Sequence, residues 1–170
     1  RTVTPMGARM LRRWLLFPLK DVAAINSRLD VITEFMRQPD MRDELSESLS
    51  SIGDMERLTG KVAVGRVSPR ELNQLSQALS LVEPLKAACS ASSDATLQAI
   101  GEQLNPCAGI RDRIAREIVD DPPVALNRGE VFREGVDEEL DELRHIAYSG
   151  KDYLMQVQTR ESAATGIPSL

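Results

Sequence analysis

Apolar residues recur at helical spacing along almost the whole of this chain. Thr4-Pro5 sets a capping hydroxyl before a proline at a first helical position, where the missing N–H costs nothing. Met6, Met10, Trp14 and Phe17 then step by 4, 4 and 3, the apolar stripe of one helix. Pro18 ends it. Asp21 caps a second helix, in which Val22, Ile25, Leu29, Ile32 and Met36 step by 3, 4, 3 and 4 until Pro39 stops it. Asp40 caps a third, with Leu45, Leu49 and Ile52 on one face. Gly53 either interrupts or dents a helical run that continues through Met55, Leu58, Val62 and Gly65.

Ser68-Pro69-Arg70-Glu71 is the strongest start signal in the chain: a serine N-cap, a proline in the first turn and a glutamate three residues on make a capping box. Its helix carries Leu72, Leu75, Leu79 and Val82, and Pro84 kinks or ends it. Residues 90–94 read as a polar linker, followed by a brief helix near Leu97–Leu104 and another over about Pro106–Val119. Asp120-Asp121-Pro122-Pro123 is the clearest break. After it, Leu126–Gly135 is punctuated by glycine, and Val131-Phe132-Arg133 is the one short extended candidate. From Asp137 a long helix is predicted, with Val136, Leu140, Leu143, Ala147, Gly150, Leu154 and Val157 stepping by 4, 3, 4, 3, 4 and 3. That is a heptad seam. Its acidic start, Asp137 to Glu142, suits the positive end of the helix dipole. Helical to residue 163, it would be about 40 Å long. The predicted fold is all-α: an irregular multi-helix bundle, one domain over 1–170 with a candidate sub-boundary near 120–136, ending in a long C-terminal helix.

Composition narrows this picture. With 42% hydrophobic but only 4% aromatic residues in 170, a core must be built from Leu, Ile, Val, Met and Ala, which suits helix on helix. Cys89 and Cys107 have neither metal-ligand nor redox spacing, so two reduced thiols in a cytoplasmic protein are expected. A single histidine, His145, excludes a His-rich metal site. No run of 18 apolar residues occurs, so no membrane helix is expected. The start at Arg1 and the apolar stop at Ile167-Pro-Ser-Leu170 read as the limits of a piece of a longer protein. Net charge is −5, which argues against this piece gripping duplex DNA by itself. The charge is uneven, however. Arg1, Arg9, Arg12, Arg13 and Lys20 face no acidic residue within 1–20, leaving −10 for the rest. A solvated or neighbour-facing helix accounts for this basic start. Arg9, Arg12 and Arg13 are the candidates for direct DNA contact.

No catalytic motif is present. The phosphate-cradling Gly-x-x-x-x-Gly-Lys-Ser/Thr is missing, as is Gly-x-Gly-x-x-Gly. His145 lies four residues after Asp141, with no nucleophile nearby to make a catalytic dyad, so a surface pair is expected. Asp120-Asp121 reads as a helix end and turn rather than a cation site. Trp14 reads as core or interdomain contact rather than a base-stacking platform. Glu56-Arg57 is either an ion pair or solvated, and the sequence leaves both open.

Thr4 to Leu19, Asp54 to Leu58, Gly65-Arg66 with Pro69 to Leu72, and Arg128 to Gly135 with Leu140 to Leu143 together resemble the strings of one family, the MutS mismatch-repair ATPases. Thr4 to Leu19, with Arg13-Trp14-Leu15 before Pro18-Leu19, is similar to the opening of that family's core domain. Arg28-Leu29-Asp30, Asp54-Met-Glu-Arg-Leu58, Gly65-Arg66 and Pro69-Arg70-Glu-Leu72 follow in family order. Arg128 to Gly135, then Asp137 and Leu140-Asp-Glu-Leu143, resemble the stretch leading into its long lever helix, and Thr165 to Leu170 the hand-over to its DNA clamp. Departures fall at Val136, where tyrosine is common, and at Glu130, where a second glycine is. The resemblance implies the first part of the core, or lever, domain, non-catalytic itself. It implies a parent that binds mismatched duplex DNA as a homodimer, uses ATP and Mg outside this piece, and meets a MutL-type partner. Trp14, Asp54, Glu56, Arg57, Arg66, Pro69, Arg70, Asp137, Leu140, Leu143, Leu154 and Val157 become structural or interdomain candidates. The seam on the last helix is expected to lack its partner here, so that the piece self-associates or frays. A stand-alone helical adaptor is the alternative, and an enzyme in its own right is third.

Overall fold

A computed structural model describes residues 2–124 and 129–166. Features expected at Arg1, at Leu126 to Arg128 and at Ile167 to Leu170 lie outside the described residues. Among those described, the regular structure is helical: α1 (Pro5–Leu16), α2 (Val22–Arg37), α3 (Pro39–Ile52), α4 (Met55–Ala63), α5 (Pro69–Ser80), α6 (Val82–Ala91), α7 (Ala95–Gln103), α8 (Ala108–Glu117) and α9 (Glu138–Thr165). The fold is all-α. The chain divides into two compact units, Arg1–Val131 and Phe132–Leu170.

In the first unit the caps set the boundaries. The side chains of Thr4, Asp21, Asp54, Ser68 and Asp94 accept the backbone N–H groups of Gly7, Ala24, Arg57, Glu71 and Leu97, satisfying donors that a helix start leaves orphaned. The capping box at Ser68 is complete, with the Glu71 carboxylate accepting the Ser68 N–H at 3.1 Å. Two prolines begin helices rather than end them. Pro39 takes the first position of α3, so the cap is Gln38 and not Asp40, because a fixed φ and a missing N–H fit that position. Pro84 lies in the first turn of α6, where it breaks no hydrogen bond. Gly53, at φ 72°, ends α3 outright, in a conformation glycine adopts freely. Helix α4 stops at Ala63, short of Gly65, and α6 runs on to Ala91, shortening the expected linker. Helix α8 begins only at Ala108.

Two apolar clusters hold this unit together. Leu45, Ile52, Leu85, Cys89 and Leu97 join α3, α6 and α7, with Val31 and Phe35 of α2 packed against them. Leu58, Leu75 and Leu79 join α4 and α5. Met55 touches both clusters. Helices α6 and α7 approach closely at Gly101, where a Cβ would lie 2.6 Å from Ser90 Oγ and 3.2 Å from Cys89 Cβ. Neither cysteine is paired, and burial pushes the Cys89 thiol up.

The stripe expected to bury α2 is on the wrong side of the helix. Val22, Leu29, Ile32 and Met36 are exposed, and the buried residue is Glu34. Its carboxylate accepts Ser93 Oγ at 2.7 Å and Gln38 Nε2 at 2.5 Å. Hydrogen bonds of this kind let a carboxylate sit where apolar residues would otherwise be expected.

The second unit is built on α9. Asp137 Oδ1 accepts the Leu140 N–H at 2.8 Å, and Gly166, at φ 74°, closes the C-terminus. Asp141 pairs with Arg144 at 3.0 Å and accepts the Gly135 N–H at 2.7 Å. Arg144, not His145, is therefore the partner of Asp141, and its guanidinium also reaches the Phe132 carbonyl at 3.0 Å. On the heptad seam, Leu140 and Val157 are half-buried while Leu143 and Leu154 are exposed.

Candidate functional site

Five of the residues singled out in the sequence, Arg9, Asp54, Glu56, Arg57 and Arg70, take part in three charged joints of the first unit. In the first, Arg9 of α1 reaches the start of α4. Its guanidinium donates to Asp54 at 2.7 and 3.1 Å and to Glu56 at 2.6 and 2.8 Å. Asp54 also caps α4 through the Arg57 N–H at 3.1 Å. One carboxylate thus both caps the start of α4 and ties α1 to it. The fork of Arg9 matches carboxylate geometry in a way a lysine does not. Glu56 pairs with Arg9 rather than with its neighbour Arg57.

The second joint centres on Glu71. It accepts Lys61 Nζ at 2.6 Å and Arg57 Nη1 at 3.4 Å, while its other oxygen closes the capping box. Helix α4 is thereby tied to the start of α5. The third joint ties α5 to the loop after α8. Arg70 donates to the Pro122 carbonyl at 2.7 Å and to Asp121 at 2.9 Å. Asn73 Nδ2 donates to the Val119 carbonyl at 2.7 Å. Pro122 is fully buried. The Asp120–Pro123 break is therefore a clamped turn.

Two carboxylates are perturbed by these contacts. The Arg9 side chain, then the Arg57 N–H, hold Asp54 at about 2 instead of 3.8. Lys61, then the Ser68 N–H, hold Glu71 at about 2 instead of 4.5. Both folded values lie below the unfolded ones. The stability they contribute is whole above about pH 4.5 and is lost as pH falls toward 2. Urea midpoints measured from pH 7 to 2 are expected to drop across that window. Asp54→Asn keeps a competent cap while removing the charge, so it and Glu71→Gln are each expected to lower the neutral-pH midpoint and flatten the acid limb. Limbs as steep as the parent's would contradict this.

The other candidates lie apart from these joints. Arg12, Arg13 and Arg66 are exposed, Pro69 is the first residue of α5, and Asp137 caps α9. Trp14 is not buried: 42% of it is exposed, beneath the Arg28 guanidinium at 3.6 Å. Sequence reasoning missed Lys61, Asn73 and Glu34. The acid-free basic start was the one signal that Arg9 needs a distant carboxylate. Among the described residues there is no cluster fit to hold a metal ion, and no helix long and apolar enough to cross a membrane.

A family model described as MutS domain III matches residues 1–164. The chain belongs to the MutS domain III family. It is 61% identical over its whole length to the DNA mismatch repair protein MutS of Bacteroides thetaiotaomicron, covering 20% of that protein. It is 59% identical, with the same coverage, to the DNA mismatch repair protein MutS of Parabacteroides distasonis. For the MutS of Salinibacter ruber the identity is 46% over 99% of the chain and 19% of the relative. The chain thus spans about a fifth of the length of the MutS proteins it matches. Part of each joint falls on a string that carried the resemblance: Arg9 lies in the opening, and Asp54 to Arg57 and Pro69 to Leu72 in the core string, while Lys61, Asn73 and Asp121 lie outside those strings.

Proposed function

We propose that residues 1–170 are the first part of the non-catalytic core, or lever, of a MutS-type mismatch-repair ATPase. The parent binds mismatched duplex DNA as a homodimer and meets a MutL-type partner. ATP and Mg act in a part of the parent outside these residues, and no residue described here is assigned to them. The task of this piece is mechanical: it joins the DNA clamp to the ATPase and carries ATP-driven rearrangement between them. The observation that carries this reading is α9. It is one uninterrupted helix of 28 residues with a cap at each end, about 42 Å long at 1.5 Å per residue. A hydrogen-bonded rod of that length moves as a body. The joints at Arg9, Glu71 and Arg70 do the same for α1, α4 and α5, fixing their starts to one another.

Arg9 is committed to two carboxylates, so of the DNA-contact candidates Arg12 and Arg13 are the two without a carboxylate partner among the described residues, and the piece itself binds DNA weakly. The apolar residues exposed on α9 support self-association of the isolated piece. The parent reading frame beyond Leu170 tests the assignment. A Gly-x-x-x-x-Gly-Lys-Ser/Thr motif after further helical sequence is expected. A stop codon soon after Leu170 would overturn the lever reading and leave a helical adaptor.

A further inference from the structure

Beside the first joint runs an open groove of about 720 Å³, lined by α1, α2 and their neighbours. Its apolar lining includes Met6, Met10, Trp14, Phe17, Leu19 and Leu49. Phe17 is 73% exposed, and Met10 and Leu19 are open to water as well. Exposed apolar surface of this kind, grouped and rimmed by charge, marks a contact site rather than a solvated face. On α2, Ile25 lies three residues before Arg28 and Ile32 four after. The groove wall is therefore continuous by helical spacing with the exposed stripe of that helix.

The rim is electrostatically one-sided. Arg9, Arg13, Arg28 and Glu56 are its charged residues. Arg9 is fully countered by Glu56 and Asp54, so that corner of the rim carries no surplus positive charge. Arg13 and Arg28 have no carboxylate partner among the described residues, and Arg28 lies over the Trp14 ring. An apolar floor with two unpaired guanidinium groups at its edge fits an amphipathic helix whose polar flanks are acidic. It fits duplex DNA poorly, since phosphates would leave Met10, Phe17 and Leu19 uncovered.

We propose that this groove seats an acidic amphipathic helix supplied in cis by the part of the parent polypeptide outside these residues. The source follows from length: about four-fifths of each matched relative lies beyond what this chain covers, and a segment tethered in the same polypeptide outcompetes free partners through its effective concentration. The proposal rests on these residues belonging to a longer MutS polypeptide.

The probe is a synthetic peptide of about 18 residues, or five helical turns, with leucines on one face and glutamates flanking it. Its controls are a scrambled peptide of the same composition and a version with lysine for glutamate. Binding is read by anisotropy of the labelled peptide, and by the emission of Trp14, the one tryptophan in the chain. The acidic peptide is expected to bind residues 1–170 and shift Trp14 emission to the blue, and both controls to bind more weakly. Arg13→Glu with Arg28→Glu is expected to weaken it at least about fivefold, and Phe17→Ser to weaken it independently of charge. The parent-length protein, its groove already filled, is expected not to bind the peptide. Equal binding of the scrambled or lysine peptide, or indifference to the variants, would overturn the groove chemistry. A Trp14 response to duplex DNA and not to the peptide would overturn it in favour of nucleic acid. Equal peptide binding by the parent-length protein would overturn the cis source. These results are separable from the reading of the parent itself, which the downstream P-loop alone decides.

Discussion

Leu58→Ala is expected to destabilise this chain by about 2–5 kcal/mol, the range for emptying a well-packed leucine site. Leu58 is 3% exposed and packs with Leu75 and Leu79 between α4 and α5. The gap has little freedom to collapse, because both ends of α4 and the start of α5 are held. Asp54 is bound by Arg9 at one end of α4, and Lys61 by Glu71 at the other. A loss of that size is a large share of the roughly 5–15 kcal/mol that stabilises a domain. In urea it should move the midpoint by about 0.7–5 M, given slopes of about 1–3 kcal/mol/M. Leu143→Ala is the matched control. That leucine is 57% exposed on α9, so its removal should stay within about 0.5 kcal/mol of zero. Similar losses for the two would contradict the assignment of core and surface. The difference between them reports burial, since the same atoms are removed.

How legible this was in the sequence depended on the range of the physics involved. Capping is local. Thr4, Asp21, Ser68 and Asp137 meet backbone N–H groups three residues away, so the sequence alone marks those starts. Helical period is local too, and the heptad run from Val136 found α9. What the period does not carry is the identity of the neighbour. The α2 stripe is regular, yet Glu34, Val31 and Phe35 face the first unit's core while Ile32 and Met36 face out. For Trp14 the sequence left a core position and a domain contact both open; its side chain lies under Arg28 at the rim of an open groove, which sets aside the core position alone. The joints were beyond reach for a related reason. Arg9 and its acceptors are 45 and 47 residues apart, and Arg70 and Asp121 are 51 apart. No spacing rule spans such separations. For Glu56-Arg57 the sequence left an ion pair and solvation both open; each instead has its partner on another helix, Arg9 for Glu56 and Glu71 for Arg57. Family order along the chain, which depends on none of these contacts, was the most legible signal of all.

The second large effect is expected at Gly150, in the middle of α9. A Cβ there meets nothing within 4 Å, so substitutions act on the helix itself and not on packing around it. Gly150→Pro removes the N–H that bonds the carbonyl four residues back, and its ring clashes with that carbonyl. The break costs about 3 kcal/mol or more. Gly150→Ala stiffens the helix by about 1 kcal/mol. If α9 relays motion as a rigid rod, breaking it must uncouple the two ends and stiffening it must leave the relay intact, with both ends able to function in either variant. The measurement is ATP-triggered release of the parent-length protein from a mismatched duplex, followed by fluorescence beside its ATP turnover and its affinity for that duplex. Gly150→Pro is expected to keep mismatch binding and basal ATP turnover but to lose the ATP-triggered release, while Gly150→Ala keeps all three. Release by Gly150→Pro at the unmodified rate would contradict the account, because a broken α9 would then be carrying nothing.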